Sequence, residues 1–129
     1  MKNQGPLNIG LSSIKSYSFP ITAISSIIHR ITGVLMVVFL PFLLWGFSLS
    51  MVCEAYFYYL QNLLIHSPWS IVAWVFISAS SYHIIAGIRH LIMDFGFFEE
   101  MCSAKISSIA VLVLGVFVTI FWGLWIWVM

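Results

Sequence analysis

Charged residues are scarce in this 129-residue chain, since only 7% of its residues are Asp, Glu, Lys or Arg. A soluble globular domain carries about 25% charged residues, so this composition excludes that class. The hydrophobic content of 62% and the mean hydropathy of +1.08 indicate an integral membrane protein instead. With a net charge of only +1, the composition gives no indication of a nucleic-acid partner.

Cysteine is also rare. The chain has two cysteines, Cys53 and Cys102, whereas an iron–sulfur cluster generally requires four cysteine ligands. No flavin or nucleotide fingerprint is visible in the sequence either. The sequence therefore gives no sign of a flavin, nucleotide or iron–sulfur site within this chain.

Long apolar runs are what the sequence has in abundance. Three of them approach the ~20 residues that cross a bilayer as a helix. The predicted fold class is thus an all-α integral membrane protein, with a polar N-terminal segment at residues 1–21 and one membrane domain at residues 22–129. The predicted spans are 22–50, 67–95 and 104–128.

Proline, serine and glycine mark the expected helix ends. Pro20 is expected to open the first helix and Ser67-Pro68 the second, because proline suits the first turn and serine the N-cap. Gly96 is expected to end the second spanning helix, and Ser103 to cap the third.

The basic residues are distributed unevenly. All five lie in the N-terminal part or around the second connection: Lys2, Lys15, Arg30, Arg89 and Lys105. The positive-inside rule therefore predicts a cytoplasmic N-terminus and a periplasmic C-terminus in a bacterial inner membrane, which we favour over the mitochondrial inner membrane.

A stripe of polar residues follows one face of the second span. His83, Gly87, His90 and Asp94 recur at helical spacing, and ionisable residues inside a membrane are candidates for function. His83 is expected to lie about 10 Å deeper than His90. A buried neutral imidazole is a usual axial ligand of haem iron, and Gly87 leaves room for a flat ring. The alternative is a packing histidine bonded across a helix pair.

A second polar group lies at the entrance of the first span. Ser26 and Arg30 share a helix face, with His29 beside them. A hydroxyl and a guanidinium suit a carbonyl-bearing ligand or a carboxylate, although an arginine that snorkels to the interface is an alternative. His29, Arg30 and His90 are expected nearer the surface than His83, where they would meet haem propionates. Arg89 and His90 otherwise look like boundary residues.

The number of histidines predicts a partner. Because no second histidine of this chain is expected at the depth of His83, a six-coordinate haem requires its other ligand from a different polypeptide. The sequence therefore predicts a shared cofactor and a hetero-oligomer.

Two motifs carry a family resemblance. S-x-x-H-R-x-T starts at Ser26 and H-x-x-x-G-I-R-H-x-x-x-D-x-G starts at His83. Both resemble the cytochrome b membrane-anchor subunit of succinate dehydrogenase, the larger of the two anchors of respiratory complex II. The resemblance implies a heterotetramer in which a flavoprotein oxidises succinate, an iron–sulfur subunit relays electrons, and two membrane anchors bind haem b and ubiquinone in one helix bundle. Flavin and iron–sulfur clusters would belong only to the partners.

The same resemblance implies residue roles. His83 would be one axial ligand of the haem iron, and the smaller anchor would supply the other. Ser26, Ile27 and Arg30 would line the ubiquinone site. The haem pocket and its propionates would be contacted by His29, Arg30, Gly87 and His90.

Three other functions are considered. A close variant is the anchor of a fumarate reductase, whose reaction runs in reverse, although the motif match favours succinate oxidation. A cofactor-free membrane anchor is a second alternative. The third is a small transporter with His83, His90 and Asp94 as a proton relay.

Overall fold

Four helices make up the part of the chain that the computed structural model describes, residues 19–98 and 100–128. Nearly all of the predicted polar segment 1–21 lies outside these residues. The helices are α1 (Ile21–Ser50), α2 (Glu54–His66), α3 (Ser70–Asp94) and α4 (Met101–Val128). By length and composition, α1, α3 and α4 are able to cross a membrane. The predicted all-α membrane fold is confirmed.

The three long helices pack against one another with alternating direction. Thr32 near the start of α1 contacts His83, while Phe39 further along α1 contacts Phe76, so α1 and α3 are antiparallel. In the same way Arg89, late in α3, contacts Ser107, early in α4. This arrangement brings the beginning of α1, the end of α3 and the beginning of α4 to one end of the bundle.

Small side chains form most of the helix interfaces. Ser25, Ala86 and Ser108 are at most 2% exposed, which allows the helix backbones to approach closely. Tyr82 is the one large apolar side chain among the buried residues described, and it packs against Gly115 of α4. A Cβ at Gly115 would lie 2.5 Å from Cδ2 of Tyr82, so the tyrosine occupies the place that the glycine leaves open.

The end of α3 follows the prediction for Gly96. This glycine has φ 86°, a left-handed conformation that residues with a side chain rarely adopt. Its N–H donates to the carbonyl of Met93, and the N–H of Phe97 donates to the carbonyl of Ile92. These two bonds form a Schellman motif, which satisfies carbonyls that the helix end would otherwise leave unpaired.

The predicted helix starts are only partly correct. Pro20 immediately precedes α1, and its carbonyl accepts the N–H groups of Ala23 and Ile24. The helix α3 begins at Ser70, three residues after Ser67, whose Oγ nevertheless accepts the N–H of Trp69 at 3.1 Å. The prediction for Ser103 is wrong, because α4 already begins at Met101 and the Ser103 hydroxyl donates to the carbonyl of Glu100.

The connection between the first two spans contains a helix that the sequence did not predict. At 13 residues α2 is only about 20 Å long, too short to span a bilayer. It contacts both α1 and α3, and all of its residues are at least partly exposed.

Candidate functional site

Three histidines meet where α1 packs against α3. The ring of His29 is stacked on the ring of His83, with centroids 4.1 Å apart and planes inclined by 21°. The same ring lies 5.0 Å from the ring of His90. His29 therefore lies between the two histidines of α3, above Gly87, where a Cβ would be 3.7 Å from its Nε2.

This position corrects one expectation. The sequence predicted that His29 lies level with His90 and well above His83, but its ring contacts His83 directly. The reason is the register between α1 and α3, which sets His29 opposite Gly87. The register depends on packing between helices and is not visible in either helix alone.

The ring of His83 is held by one of its two nitrogens. Its Nδ1 lies 3.0 Å from the carbonyl oxygen of His29 and 3.2 Å from Oγ1 of Thr32. The Thr32 hydroxyl itself donates to the same carbonyl at 2.8 Å. Because a carbonyl only accepts hydrogen bonds, Nδ1 carries a proton, and in the neutral imidazole Nε2 then has a lone pair. This Nε2 makes no hydrogen bond within the described residues.

Such an arrangement is typical of an imidazole that binds a metal. Histidine ligands usually donate the second ring N–H to a backbone carbonyl or a carboxylate, which fixes the tautomer and the ring orientation. Gly33 contributes to the same orientation from α1, since a Cβ there would lie 2.9 Å from Cε1 of His83. The sequence shows the Thr32-Gly33 pair close to His29, but gave no reason to assign it a role.

His29 has an unsatisfied polar atom. Its Nε2 is buried and has no hydrogen-bond partner in the described part of the chain. A buried polar atom without a partner is costly, so its presence indicates a ligand or a further chain at this point. The free Nε2 of His83 and the unpaired Nε2 of His29 together fit a cofactor with an iron centre and acidic substituents.

The predicted quinone-site residues face outward. Ser26 is half-buried, whereas Ile27 and Arg30 are exposed. Neither Ser26 nor Arg30 forms a side-chain hydrogen bond or ion pair among residues 19–98 and 100–128. The neighbouring Ser25 points inward and accepts a hydrogen bond at its carbonyl from the Tyr82 hydroxyl at 3.2 Å. The outward face of α1 thus offers a hydroxyl and a guanidinium at the same end of the bundle as the histidines.

Comparison with known proteins shows which family the chain belongs to. The model of the succinate dehydrogenase/fumarate reductase transmembrane subunit matches residues 1–122. The chain belongs to this family. It is therefore a multi-pass membrane subunit of a larger enzyme and not the dehydrogenase itself, as the sequence predicted.

The individual relatives that match the chain are named as succinate dehydrogenase cytochrome subunits. A succinate dehydrogenase cytochrome b556 subunit from Coxiella burnetii is 35% identical over 128 residues, which cover 98% of this chain and all of that protein. A cytochrome b560 subunit from Marchantia polymorpha is 30% identical, over 93% of this chain and 89% of its own length. A cytochrome b556 subunit from Rickettsia felis is 28% identical over 85% of this chain and 84% of its own. The resemblance to cytochrome b anchor subunits is confirmed.

Arg89, interpreted from the sequence as a boundary residue, lies near the end of α3, and its side chain is only 6% exposed. Its Nε donates to Oγ of Ser107 at 3.0 Å, and its Nη2 donates to the carbonyl of Ala104 at 3.3 Å. Asp94, in contrast, is exposed at the end of α3 and is not part of the histidine cluster.

Proposed function

We propose that this chain is the haem-binding anchor of a succinate:ubiquinone oxidoreductase. It would bind haem b together with a second anchor and line the site where electrons from succinate oxidation reach ubiquinone. The observation that carries this proposal is the His83 imidazole, whose Nδ1 is engaged by the His29 carbonyl while its Nε2 remains available. The relatives named as cytochrome b subunits support it.

The histidine cluster indicates how a haem would be held. His83 would be the axial ligand, with His29, Arg30 and His90 near the propionates and Gly87 beside the ring. His29 is not suited to be the second axial ligand, because its ring is stacked beside that of His83 and does not oppose it across a metal. The second ligand would then come from the smaller anchor. A bound haem supplies a one-electron redox centre inside the membrane.

Ser26, Ile27 and Arg30 are proposed to form this chain's side of the ubiquinone site. The Ser26 hydroxyl would donate to a quinone carbonyl, and Ile27 would offer an apolar wall. The guanidinium of Arg30 would stabilise negative charge that develops on the ring during reduction. Because arginine keeps its proton, the protons of the quinol must come from water or from a partner.

The charge asymmetry gives the proposed orientation. With the N-terminus in the cytoplasm of a bacterium, the end of the bundle that carries Arg30, Arg89 and Lys105 faces the cytoplasm. Iron–sulfur and flavoprotein subunits would dock on that side, next to Ser26 and Arg30. Electrons would then enter the membrane at the edge where the quinone binds.

The test uses the purified complex with the substitution His83→Leu. We expect the reduced-minus-oxidised b-type spectrum to be lost or altered, because the side chain that binds iron is gone. His66→Leu is the matched control, since His66 is exposed in α2 and lies outside the cluster. An unchanged spectrum in an assembled His83→Leu complex would remove His83 from the axial position, and a colourless wild-type complex would favour a cofactor-free anchor.

A fumarate reductase anchor is the second candidate, because the matching family includes transmembrane subunits of both enzymes. The direction depends on the potential of the quinone. Comparing succinate oxidation with ubiquinone and fumarate reduction with a low-potential menaquinol, in the same complex, distinguishes the two. We expect the ubiquinone-dependent reaction to be the faster one.

A further inference from the structure

Thr32 contacts both ends of the hydrogen bond that holds the His83 ring. Its side chain is buried, at 7% exposed, and its Oγ1 lies 2.8 Å from the His29 carbonyl oxygen and 3.2 Å from Nδ1 of His83. The distance from Nδ1 to the carbonyl oxygen is 3.0 Å. The three polar atoms therefore form a closed triangle between α1 and α3.

The direction of each bond in this triangle follows from the carbonyl, which only accepts hydrogen bonds. The Thr32 hydroxyl uses its one proton for the carbonyl, so its oxygen acts as an acceptor towards His83. The single proton on Nδ1 is then shared between two acceptors, the His29 carbonyl and the Thr32 hydroxyl. A hydroxyl that donates one hydrogen bond is also a better acceptor for another, because the two bonds polarise each other.

Ser81 of α3 uses its hydroxyl in the same way. This hydroxyl donates to the carbonyl of Ile77, one turn earlier in the helix, and accepts the indole N–H of Trp122 from α4 at 3.0 Å. An indole N–H is only a donor, so the direction of the second bond is fixed. A hydroxyl that bonds back to its own helix thus receives an N–H from the neighbouring helix, which is also the arrangement of Thr32 and His83.

A second acceptor at Nδ1 changes what the opposite ring nitrogen of His83 offers to a metal. Acceptors at the N–H of a histidine ligand make the ring a stronger electron donor, and such bonds are one means by which a protein adjusts the potential of a haem. A stronger donor stabilises the oxidised iron, because that state carries the higher positive charge. The Thr32 hydroxyl should therefore favour the oxidised state.

We propose that Thr32 is a positioning residue that lowers the reduction potential of the haem, by supplying the second acceptor at Nδ1 of His83. This inference rests on the proposed role of His83 as the axial ligand. It assigns part of the control of the potential to a hydroxyl of α1 that does not itself bind iron.

Thr32→Val is the variant that tests this role, because it removes the hydroxyl and keeps the branched shape of the side chain. The Nδ1 proton of His83 keeps the His29 carbonyl as its acceptor, so the substitution leaves neither group unpaired. Thr32→Ser keeps the hydroxyl and removes only the methyl group. Thr119→Val is the matched control, since the Thr119 hydroxyl also donates to a carbonyl of its own helix, that of Gly115 at 2.8 Å, but lies in α4.

The experiment is a redox titration of the purified whole complex, followed by the haem absorbance, with the haem-to-protein ratio measured for each variant. We expect Thr32→Val to keep its haem and to have a higher midpoint potential than wild type. The rise should be smaller than tenfold in the ratio of reduced to oxidised haem, or about 59 mV for one electron, because only one neutral hydrogen bond is lost. Thr32→Ser and Thr119→Val should titrate as wild type does.

An unchanged or lower potential in a haem-loaded Thr32→Val complex would overturn the proposal. An equal rise in Thr32→Ser would do the same, because it would assign the effect to the methyl group. Loss of haem from Thr32→Val would also contradict it, since Thr32 would then be needed for haem binding and not for the potential. Failure of the proposed function is distinct from these results: it would appear as a wild-type complex without haem, or as a b-type spectrum that His83→Leu leaves unchanged.

Discussion

Gly33 and Gly46 lie in the same helix, α1, but have different surroundings. A Cβ at Gly33 would lie 2.9 Å from Cε1 of His83, closer than such atoms normally approach, whereas a Cβ at Gly46 would meet nothing within 4 Å. The first glycine therefore determines where the His83 ring is able to lie, and the second does not.

This contrast gives a prediction about the cofactor. Gly33→Ala should displace the His83 ring and weaken haem binding, seen as a reduced haem-to-protein ratio or a shifted b-type spectrum in the purified complex. Gly46→Ala introduces the same methyl group into the same helix and should leave the spectrum unchanged. If both variants keep full haem, Gly33 does not govern the ligand position.

Thr32, which precedes Gly33 in α1, also has a role that depends on contacts between helices. It is 7% exposed, and its hydroxyl reaches both the His29 carbonyl and Nδ1 of His83. The sequence places Thr32 one turn from His29, which identifies the helix face. It does not show that the partner across that face is His83, because no rule within α1 specifies the register against α3.

Whole helices also have some features that follow from the local sequence and others that depend on packing between helices. The three spans follow from apolar length, and Gly96 ends α3 as expected because only a residue without a side chain readily adopts φ 86°. These features depend on local chemistry. The level of His29 and the burial of Arg89 depend on how α1 and α4 pack against α3. The sequence prediction for the level of His29 was wrong, and the sequence made no prediction about the burial of Arg89. The helix α2 was missed because its 13 residues were counted only as a connection.

Tyr82 joins all three spanning helices. Its hydroxyl donates to the Ser25 carbonyl of α1 and lies 3.3 Å from the Ser25 hydroxyl, and its ring fills the gap at Gly115 of α4. Tyr82→Phe keeps the ring and should lower the free energy of unfolding by only about 1 kcal/mol. Gly115→Ala should destabilise the bundle more, because the new Cβ would lie 2.5 Å from Cδ2 of Tyr82 and would displace this buried ring.

Thermal unfolding of the assembled complex, followed by loss of the native spectrum, checks this order. Gly46→Ala again serves as the control, since it adds a methyl group where nothing is in contact. A melting temperature for Gly115→Ala equal to that of the control would mean that α3 and α4 are not held by this contact.

The surface of the described helices indicates that other molecules surround this chain. Large apolar side chains such as Val37, at 72% exposed, and Phe117, at 65%, face away from the other helices. Lipid satisfies an apolar surface of this kind, but it does not satisfy the unpaired Nε2 of His29 or the exposed guanidinium of Arg30. These polar groups lie at the end of the bundle where the soluble subunits are proposed to dock, and we therefore propose that partner subunits complete this site.

Electron flow through that complex gives the last prediction. Ser26→Ala should reduce succinate:ubiquinone activity about two- to tenfold, the effect of one neutral hydrogen bond, and Arg30→Leu about ten- to a hundredfold, the effect of a charged one. Electron transfer from succinate to a soluble artificial acceptor should be unaffected in both, because it does not require the membrane site. Thr22→Val, half-buried one turn before Ser26, is the control for a lost hydroxyl on α1. A parallel fall of both activities would mean that these residues hold the complex together, whereas an isolated fall in quinone reduction places them at the quinone.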